Sequence, residues 1–235
     1  MSKHTSTQFH QELENVRTHV MQMGGLVERQ VSVIQQALSA MAMDTLQTVI
    51  ESDKEINEME LLIDDECQSI IARRQPTAGD LRLILAVSRI TIDLERIGDE
   101  VKKAALIAHD LLNQERVLTA NFYHFNRMCH HAGNMLHQAL DAFARIDAAT
   151  LLSLLNADRE LDHDYRSQIR NLISHMTEDA RNISTGIELM SMNRAVERIG
   201  DHAVNIAEHV VYLAKGIDVR HTPEEKVEEA LNQEN

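Results

Sequence analysis

One pentapeptide occurs twice in the sequence, and each copy places two carboxylates four residues apart. Glu-Arg-Ile-Gly-Asp occupies residues 95–99 and returns unchanged at 197–201, 102 residues later. On a helix such side chains are neighbours, with Cβ atoms about 5–6 Å apart, and like charges so placed cost roughly 0.2–0.5 kcal/mol. A cost that occurs twice indicates a compensating partner, either a bound cation or a basic surface. The candidate metal ligands are therefore these four acids, Glu95, Asp99, Glu197 and Asp201.

The chemistry of the ligands narrows the choice of metal. Oxygen ligands favour hard or borderline cations such as Mg²⁺, Mn²⁺ or iron over a structural zinc site, which prefers Cys and His. Two carboxylates do not close a site, so water or acids from adjacent helices would complete it. The second-rank candidates for this role are Glu60, Asp80, Asp162 and Asp179. The plain alternative is a solvated acidic face that is neutralised by Arg82, Arg89 and Arg96.

Both pentapeptides lie beside the apolar side of a predicted helix. Apolar residues recur there at steps of three and four, which is typical of a helix that packs on a core. In the first copy they are Ile84, Val87, Leu94, Ile97, Val101, Ala105 and Ala108. In the second they are Ile187, Met190, Val196, Ala203, Val204, Ala207 and Val211. Gly98 and Gly200 fall on this side, where a missing side chain lets a neighbouring helix approach despite about 0.8–1 kcal/mol of lost helix propensity. We therefore expect each acid pair at the edge of a helix–helix contact.

Composition favours long helices and excludes several classes of function. The 235 residues include 8 Gly, 2 Pro and no Trp, and only 3% are aromatic, so we predict an all-α protein. The net charge of −14 argues against nucleic-acid binding and suits cations or basic protein surfaces. No apolar run approaches the roughly 20 residues that span a bilayer, and the polar start is unlike a signal peptide. Cys67 and Cys129 are isolated, so we expect buried, reduced thiols in a cytoplasmic protein.

Further matches extend the repeat to the whole chain. Residues 138–142 match 36–40, and 158–162 echo 53–57. Agreement at several points indicates an internal duplication. We predict six long helices in two tandem, sequence-related three-helix bundles, because short connections make neighbouring helices antiparallel. The predicted units are a first bundle over 1–114, a second over 115–216, and a loosely held acidic tail over 217–235.

Local signals predict where the helices begin. Asp44 and Asp147 are the expected N-caps of the second and fifth helices. Thr77, three residues before Asp80, is typical of a capping box at the start of the third helix. Gly-Gly at 24–25 predicts a kink or a close crossing in the first helix.

The two copies differ in charge beside the pentapeptide. The residue after the pentapeptide is Glu100 in the first copy and His202 in the second. Two residues before the pentapeptide, the first copy has Asp93 where the second has Ala195. The second predicted site therefore carries less local negative charge than the first.

The pentapeptides and three further segments resemble the PhoU family of phosphate-signalling regulators. The segments are Arg-Gln-Pro-Thr-Ala-x-Asp-Leu-Arg at 74–82, Met-x-Met-Gly-Gly at 21–25 and Leu-Asp-Ala-Phe-Ala-Arg at 140–145. The resemblance covers nearly the whole chain. It implies a cytoplasmic, usually homodimeric negative regulator of the phosphate-starvation response. Such a regulator would couple the ATPase subunit of a phosphate ABC transporter to a sensor histidine kinase and limit phosphate uptake. It also implies metal binding by the pentapeptide acids, with iron, zinc, magnesium or manganese as the metal.

The remaining motifs support an adaptor rather than an enzyme. The sequence has no nucleophile elbow, Walker motif or phosphate-cradling Gly-rich loop. Its 13 His form no His-x-x-x-His pair, and we interpret them as surface or hydrogen-bonded helix residues. Without a basic or Gly-rich anion site, the chain is expected to respond to its partners rather than to phosphate directly. The alternatives are a carboxylate-metal-binding storage protein or a metalloenzyme.

Overall fold

In a computed structural model that describes residues 2–114 and 120–232, the chain is almost entirely helical. Seven α-helices and a short 3₁₀ turn at Ala180–Asn182 lie within these ranges, which contain no strand. The helices are α1 Ser2–Ala40, α2 Met43–Arg74, α3 Ala78–Asn113, α4 Ala120–Arg145, α5 Thr150–Glu178, α6 Ile183–Lys215 and α7 Glu224–Asn232. The predicted all-α class and the six long helices are confirmed.

The long helices form two bundles that lie side by side. The first bundle consists of α1, α2 and α3, and the second of α4, α5 and α6; in each bundle all three helices contact one another. The bundles join through two pairs of helices, α1 with α4 and α3 with α6. One continuous apolar core runs through both. The tandem three-helix bundles are confirmed, while the boundaries at 114 and 216 stay a prediction.

The apolar pattern of the sequence locates most of this core. All seven apolar residues predicted for α3 are buried. On α6 the pattern holds from Val196 onward, but Ile187 is 55% exposed and Ile183, four residues earlier, is also exposed. This side of the first turns of α6 therefore faces solvent, and the expectation that Ile187 belongs to the core was wrong.

A glycine sets the crossing of α1 and α4. A Cβ placed on Gly24 would lie 2.6 Å from Cδ2 of Leu140, whereas one on Gly25 would meet no atom within 4 Å. Helix α1 runs unbroken through both residues. The predicted close crossing is therefore confirmed, and it joins one bundle to the other.

The helix starts differ from the predicted caps. The N-cap of α2 is Ala42, and Asp44 lies in the first turn, where a carboxylate complements the helix dipole. The N-cap of α5 is Ala149, whose N–H donates to Asp147 Oδ1 at 3.0 Å. Thr77 is the N-cap of α3 as expected, although its side chain makes no capping hydrogen bond within the described ranges. The N-cap prediction was wrong for Asp44. Asp147 lies two residues before the N-cap of α5, yet its side chain does accept a backbone N–H at the start of that helix.

The register of the duplication shows that the two aspartates do not correspond to each other. Met41 and Ile146 have positive φ angles of 52° and 56° at the ends of α1 and α4. They are 105 residues apart, as are the echoing segments 53–57 and 158–162, whereas the pentapeptides are 102 apart. The second half is thus three residues shorter between α5 and α6. Asp44 and Asp147 are not equivalent positions.

The chain after α6 packs more firmly than expected. Gly216, with a φ of 71°, ends α6 in the left-handed conformation that glycine favours. Val219 and Val227 are then buried in the core. The side chain of Lys215 donates to the carbonyl of Leu231. The expectation of a loosely held segment from 217 was wrong for its described part, because these two valines add apolar contacts.

Both cysteines are free and buried, as predicted. Burial and the nearby Asp64 carboxylate raise the pKa of the Cys67 thiol to about 12, so it stays protonated and unreactive. Across the described part of the chain, no helix combines the length and the apolar character that a membrane span requires.

Candidate functional site

The glycine of the first pentapeptide brings α2 close to α3. A Cβ on Gly98 would lie 3.0 Å from Cδ1 of Ile56 and 3.7 Å from Oδ1 of Asp53. The predicted approach of a neighbouring helix is confirmed, and the structure identifies that helix as α2. The approach places the buried Asp53 beside the acids of the pentapeptide.

We call Asp53, Glu60, Glu95 and Asp99 the first acidic cluster. Burial raises the pKa of Glu95, and repulsion from Asp99, Glu60 and Asp53 raises it further. Burial and the charges of Asp64 and Asp99 likewise raise the pKa of Glu60. Lys102, on α3, partly neutralises this cluster, because its Nζ donates to Asp53 Oδ2 at 2.9 Å.

The second pentapeptide repeats the arrangement between α5 and α6. A Cβ on Gly200 would lie 2.5 Å from Cδ2 of Leu161 and 3.5 Å from Oδ1 of Asp158. Leu161 and Asp158 are the equivalents of Ile56 and Asp53 at the 105-residue offset. The duplication therefore preserves the helix contact, the glycine and the additional aspartate.

We call Asp158, Asp162, Glu197 and Asp201 the second acidic cluster. Burial raises the pKa of Glu197 to about 7, together with the charge of Asp201. Burial and Asp201 also raise the pKa of Asp158 to about 6. The guanidinium of Arg194 pairs with Glu197. Near neutral pH this cluster consequently holds protons more readily than exposed carboxylates do.

The clusters match a cation in charge and ligand type but are not assembled as a finished site. Asp53 Oδ1 and Glu197 Oε2 are buried and have no hydrogen-bond partner among the described residues. Such oxygens are suitable ligands for hard cations. Within the described ranges, however, no three His, Cys, Asp or Glu side chains come together closely enough to hold a metal ion. Metal binding by Glu95, Asp99, Glu197 and Asp201 stays a prediction.

Two of the four second-rank acids belong to these clusters. Glu60 and Asp162 do, because their charges act on the pentapeptide acids. Asp80 lies in the first turn of α3, roughly 22 Å along the helix from Glu95 at 1.5 Å per residue. Asp179 instead binds Arg181, accepting from its backbone N–H at 2.9 Å.

Sequence reasoning missed the two aspartates that complete the clusters. The signal was present, since Asp53 and Asp158 open the echoing segments 53–57 and 158–162. What the sequence did not show is that α2 and α5 turn these residues toward the pentapeptide glycines. Of the arginines expected to neutralise the first cluster, only Arg96 affects the pKa of Glu95.

A group of buried polar residues, separate from the two acidic clusters, joins the bundles where α3 packs against α6. Oδ1 of Asp93 lies 2.8 Å from Nδ1 of His202 and accepts from Asn205 Nδ2 at 3.2 Å. Its Oδ2 lies 3.2 Å from Nε2 of His209. Burial alone would raise the pKa of Asp93, but these hydrogen bonds outweigh it and hold the pKa at about 2. The prediction of hydrogen-bonded helix histidines is confirmed for His202 and His209.

The charge differences between the repeats lie at this same contact. Arg198 of α6 pairs with Glu100 of α3, and Glu100 also pairs with Lys103 at 3.4 Å. His202 occupies the position equivalent to Glu100 and binds Asp93 instead. The differences between the two copies, Glu100 against His202 and Asp93 against Ala195, therefore affect the contact between the bundles.

Comparison with known proteins gives full-length matches. The family model described as the PhoU domain matches residues 20–108 and 125–210. The phosphate-specific transport system accessory protein PhoU homolog of Pseudomonas putida is 46% identical over 221 residues, which cover 94% of this chain and 86% of the relative. The phosphate-specific transport system accessory protein PhoU of Escherichia coli K12 is 40% identical over 232 residues, covering 98% and 95%.

A solved structure shares the fold. The crystal structure of PhoU from Pseudomonas aeruginosa matches with a TM-score of 0.82 at 45% sequence identity, covering 89% of this chain and all of that chain. The two segments matched by the family model fall one in each bundle, and each contains one pentapeptide.

Proposed function

The chain belongs to the PhoU family, and from this premise we propose that it is a negative regulator of the phosphate-starvation response. Its relatives are named as accessory proteins of a phosphate-specific transport system. Such names support a role related to phosphate transport for this chain. In the proposed role, it is a cytoplasmic homodimer that couples a phosphate ABC transporter to a sensor histidine kinase and limits phosphate uptake.

The observation that carries the proposal is the family match along both bundles. The shape of the molecule is consistent with an adaptor. Helices α2 and α5 have 32 and 29 residues, or about 48 and 43 Å at 1.5 Å per residue. They present exposed apolar side chains, among them Leu61 at 70% and Ile173 at 49%. The net charge of −14 favours encounters with basic partner surfaces.

The proposed partners are the ATPase subunit of the transporter and the kinase, and binding assays test them directly. We expect the full chain to bind each purified partner, with association that slows as salt rises, because exposed charges are screened. The absence of binding to both partners at low salt would contradict the adaptor role. Nothing in the family description names a reaction, and the proposed role requires none.

A second proposal concerns the two acidic clusters, which we infer to bind one divalent cation each. Each cluster draws four carboxylates from two helices, and their charges raise one another's pKa although they do not yet converge on one ion in the described ranges. Asp53 Oδ1 and Glu197 Oε2 are buried without a hydrogen-bond partner in the described part of the chain. Magnesium, manganese, iron and zinc are the candidate metals. A bound cation would offset the repulsion among the carboxylates, with water completing its coordination.

Metal content is the readout for this second proposal. Wild-type protein purified without an affinity tag or added metal should carry near-stoichiometric metal. The variant Glu95→Ala, Asp99→Ala, Glu197→Ala, Asp201→Ala should carry none while keeping its helical circular dichroism. If both proteins are equally empty, the clusters are docking surfaces for basic partners. If the metal-free variant still regulates, storage and metalloenzyme chemistry are excluded as the basis of regulation.

A further inference from the structure

A cleft lined by three arginines lies beside the contact between the bundles. It has a volume of about 370 Å³ and forms where α3, α6 and the segment 216–223 meet. Arg89 and Arg96 line one wall from α3, and Arg220 and His221 line another from the segment. The volume falls within the range of small-molecule sites, about 300–1,000 Å³. Such a gathering of cations is unexpected in a chain of net charge −14.

The carboxylates around the cleft are hydrogen-bonded or removed from solvent. Asp93 is held by His202, Asn205 and His209 at the floor of the contact. Glu208 lines the cleft, and burial raises the pKa of its carboxyl.

Arg220 is committed to its own partner, since its guanidinium donates to both oxygens of Asp218 at 2.9 and 2.5 Å. Arg220 therefore shapes the rim, and the available positive charge is that of the two arginines on α3.

Arg89 and Arg96 retain unused donors. Nη1 of Arg89 is buried and has no hydrogen-bond partner among the described residues. Its guanidinium lies 5.4 Å from the ring centroid of Tyr212, within the range of a cation–π contact. Arg96 is exposed and forms no ion pair within the described ranges, although its charge lowers the pKa of Glu95. A buried N–H without an acceptor is costly unless a ligand or water completes it.

The duplication shows what Arg96 lacks. Its equivalent in the second repeat, Arg198, pairs with Glu100 across the contact between the bundles. The residue equivalent to Glu100 on the other side is His202, which binds Asp93 and offers Arg96 no carboxylate. At the α3–α6 contact, Arg198 therefore has an acidic partner in Glu100, whereas the equivalent Arg96 has none among the described residues.

We propose that this cleft binds a free tetrahedral oxyanion of the phosphate type, which takes the place that Glu100 fills for Arg198. Guanidinium groups donate two parallel hydrogen bonds to such oxygens, so Arg89 and Arg96 together hold the anion from one wall of the cleft. The inference goes beyond the proposed function, because it gives the chain a small ligand of its own whichever partners it regulates. The proposal departs from the expectation, drawn from the sequence, that the chain lacks a basic anion site.

Equilibrium dialysis of the full chain against inorganic phosphate tests the proposal at constant ionic strength. We expect saturable binding by the wild type and at least about tenfold weaker binding after Arg96→Gln, since a charge-assisted pair is lost. Arg89→Gln should weaken binding to a similar degree. The matched control is Arg198→Gln, which makes the same change at the equivalent position outside the cleft and should leave binding unchanged.

Three results would overturn the site. They are no saturable binding by the wild type, unchanged binding in the Arg96→Gln and Arg89→Gln variants, and an equal loss in Arg198→Gln. Melting curves of all four proteins establish that each is folded. None of these outcomes bears on partner binding, so failure of the oxyanion site is distinguishable from failure of the proposed function.

Discussion

Asp53 and Asp158 occupy equivalent positions in the two repeats but have opposite electrostatic surroundings. Asp53 binds Lys102 at 2.9 Å. In the second repeat the residue equivalent to Lys102 is Val204, so Asp158 has no such lysine. Burial, followed by the charges of Asp201 and Asp162, therefore raises the pKa of Asp158 to about 6. The duplicated aspartate stabilises an ion pair in one bundle and adds repulsion in the other.

Substitution by asparagine should separate these two roles. Asp158 has a folded pKa above its ordinary 3.8, so the unfolded chain releases the proton first and stability falls as pH rises from about 4 to 6. Asp158→Asn removes that penalty, and in protein freed of metal by a chelator we expect a gain on the order of 1 kcal/mol near neutral pH, or roughly 2–4 °C in Tm. The gain should shrink as the pH falls and vanish below about pH 3, where the carboxyl is protonated in both the folded and the unfolded state.

The matched variant Asp53→Asn should instead lower Tm, because Lys102 loses its charged acceptor. Thermal unfolding followed by circular dichroism at the two pH values measures both effects. Shifts of the same sign in both variants would contradict this account of the clusters.

At the residue scale, the sequence singled out the pentapeptide acids of α3 and α6 but not the aspartates that α2 and α5 place beside them. Spacing along one helix shows that Glu95 and Asp99 share a face. Which residues a second helix turns toward that face depends on the crossing, and Gly98 sets the crossing only in the folded chain. Lys102 lies seven residues, or about two helical turns, after Glu95 on the same side of α3. Its place beside the cluster could therefore have been predicted from the sequence.

At the scale of the helices, the crossing of α1 and α4 depends on a single missing side chain. Leu140 is buried against Gly24, whereas Gly25 has free space beside it. We expect Gly25→Ala to stabilise the protein by about 0.5–1 kcal/mol through helix propensity alone. Gly24→Ala should destabilise it by about 1–3 kcal/mol, because a buried leucine must move.

Urea unfolding of both variants gives the comparison, and Gly25→Ala controls for the gain in propensity. Equal stabilisation by the two substitutions would show that the crossing tolerates a side chain at residue 24.

Helix extents followed from periodicity, whereas helix ends did not. The three-and-four spacing of apolar residues reflects burial along a whole helix, so it locates α3 from many residues at once. Caps rest on one side chain each, and the structure places the N-caps of α2 and α5 at Ala42 and Ala149, two residues away from Asp44 and Asp147. The prediction that Ile187 is buried was wrong for a related reason, because a periodic pattern does not show where a neighbouring helix stops covering the apolar side.

At the scale of the whole molecule, the bundles meet through residues more than a hundred positions apart. Asp93 binds His202 and His209 across the α3–α6 contact, and no local pattern predicts such pairing. The cleft beside it is built in the same way, from Arg89, Arg96 and the segment after α6. Net charge describes the surface on average, so a strongly acidic chain still forms a local cationic cleft once it is folded.

We propose that the chain restrains the phosphate-starvation response when phosphate is plentiful. The most direct measurement is the activity of a phosphate-starvation promoter in phosphate-rich medium, in a bacterial strain that lacks this chain and in the same strain with the wild-type chain restored. We expect high promoter activity without the chain and low activity when it is restored. Low activity in both strains would contradict it.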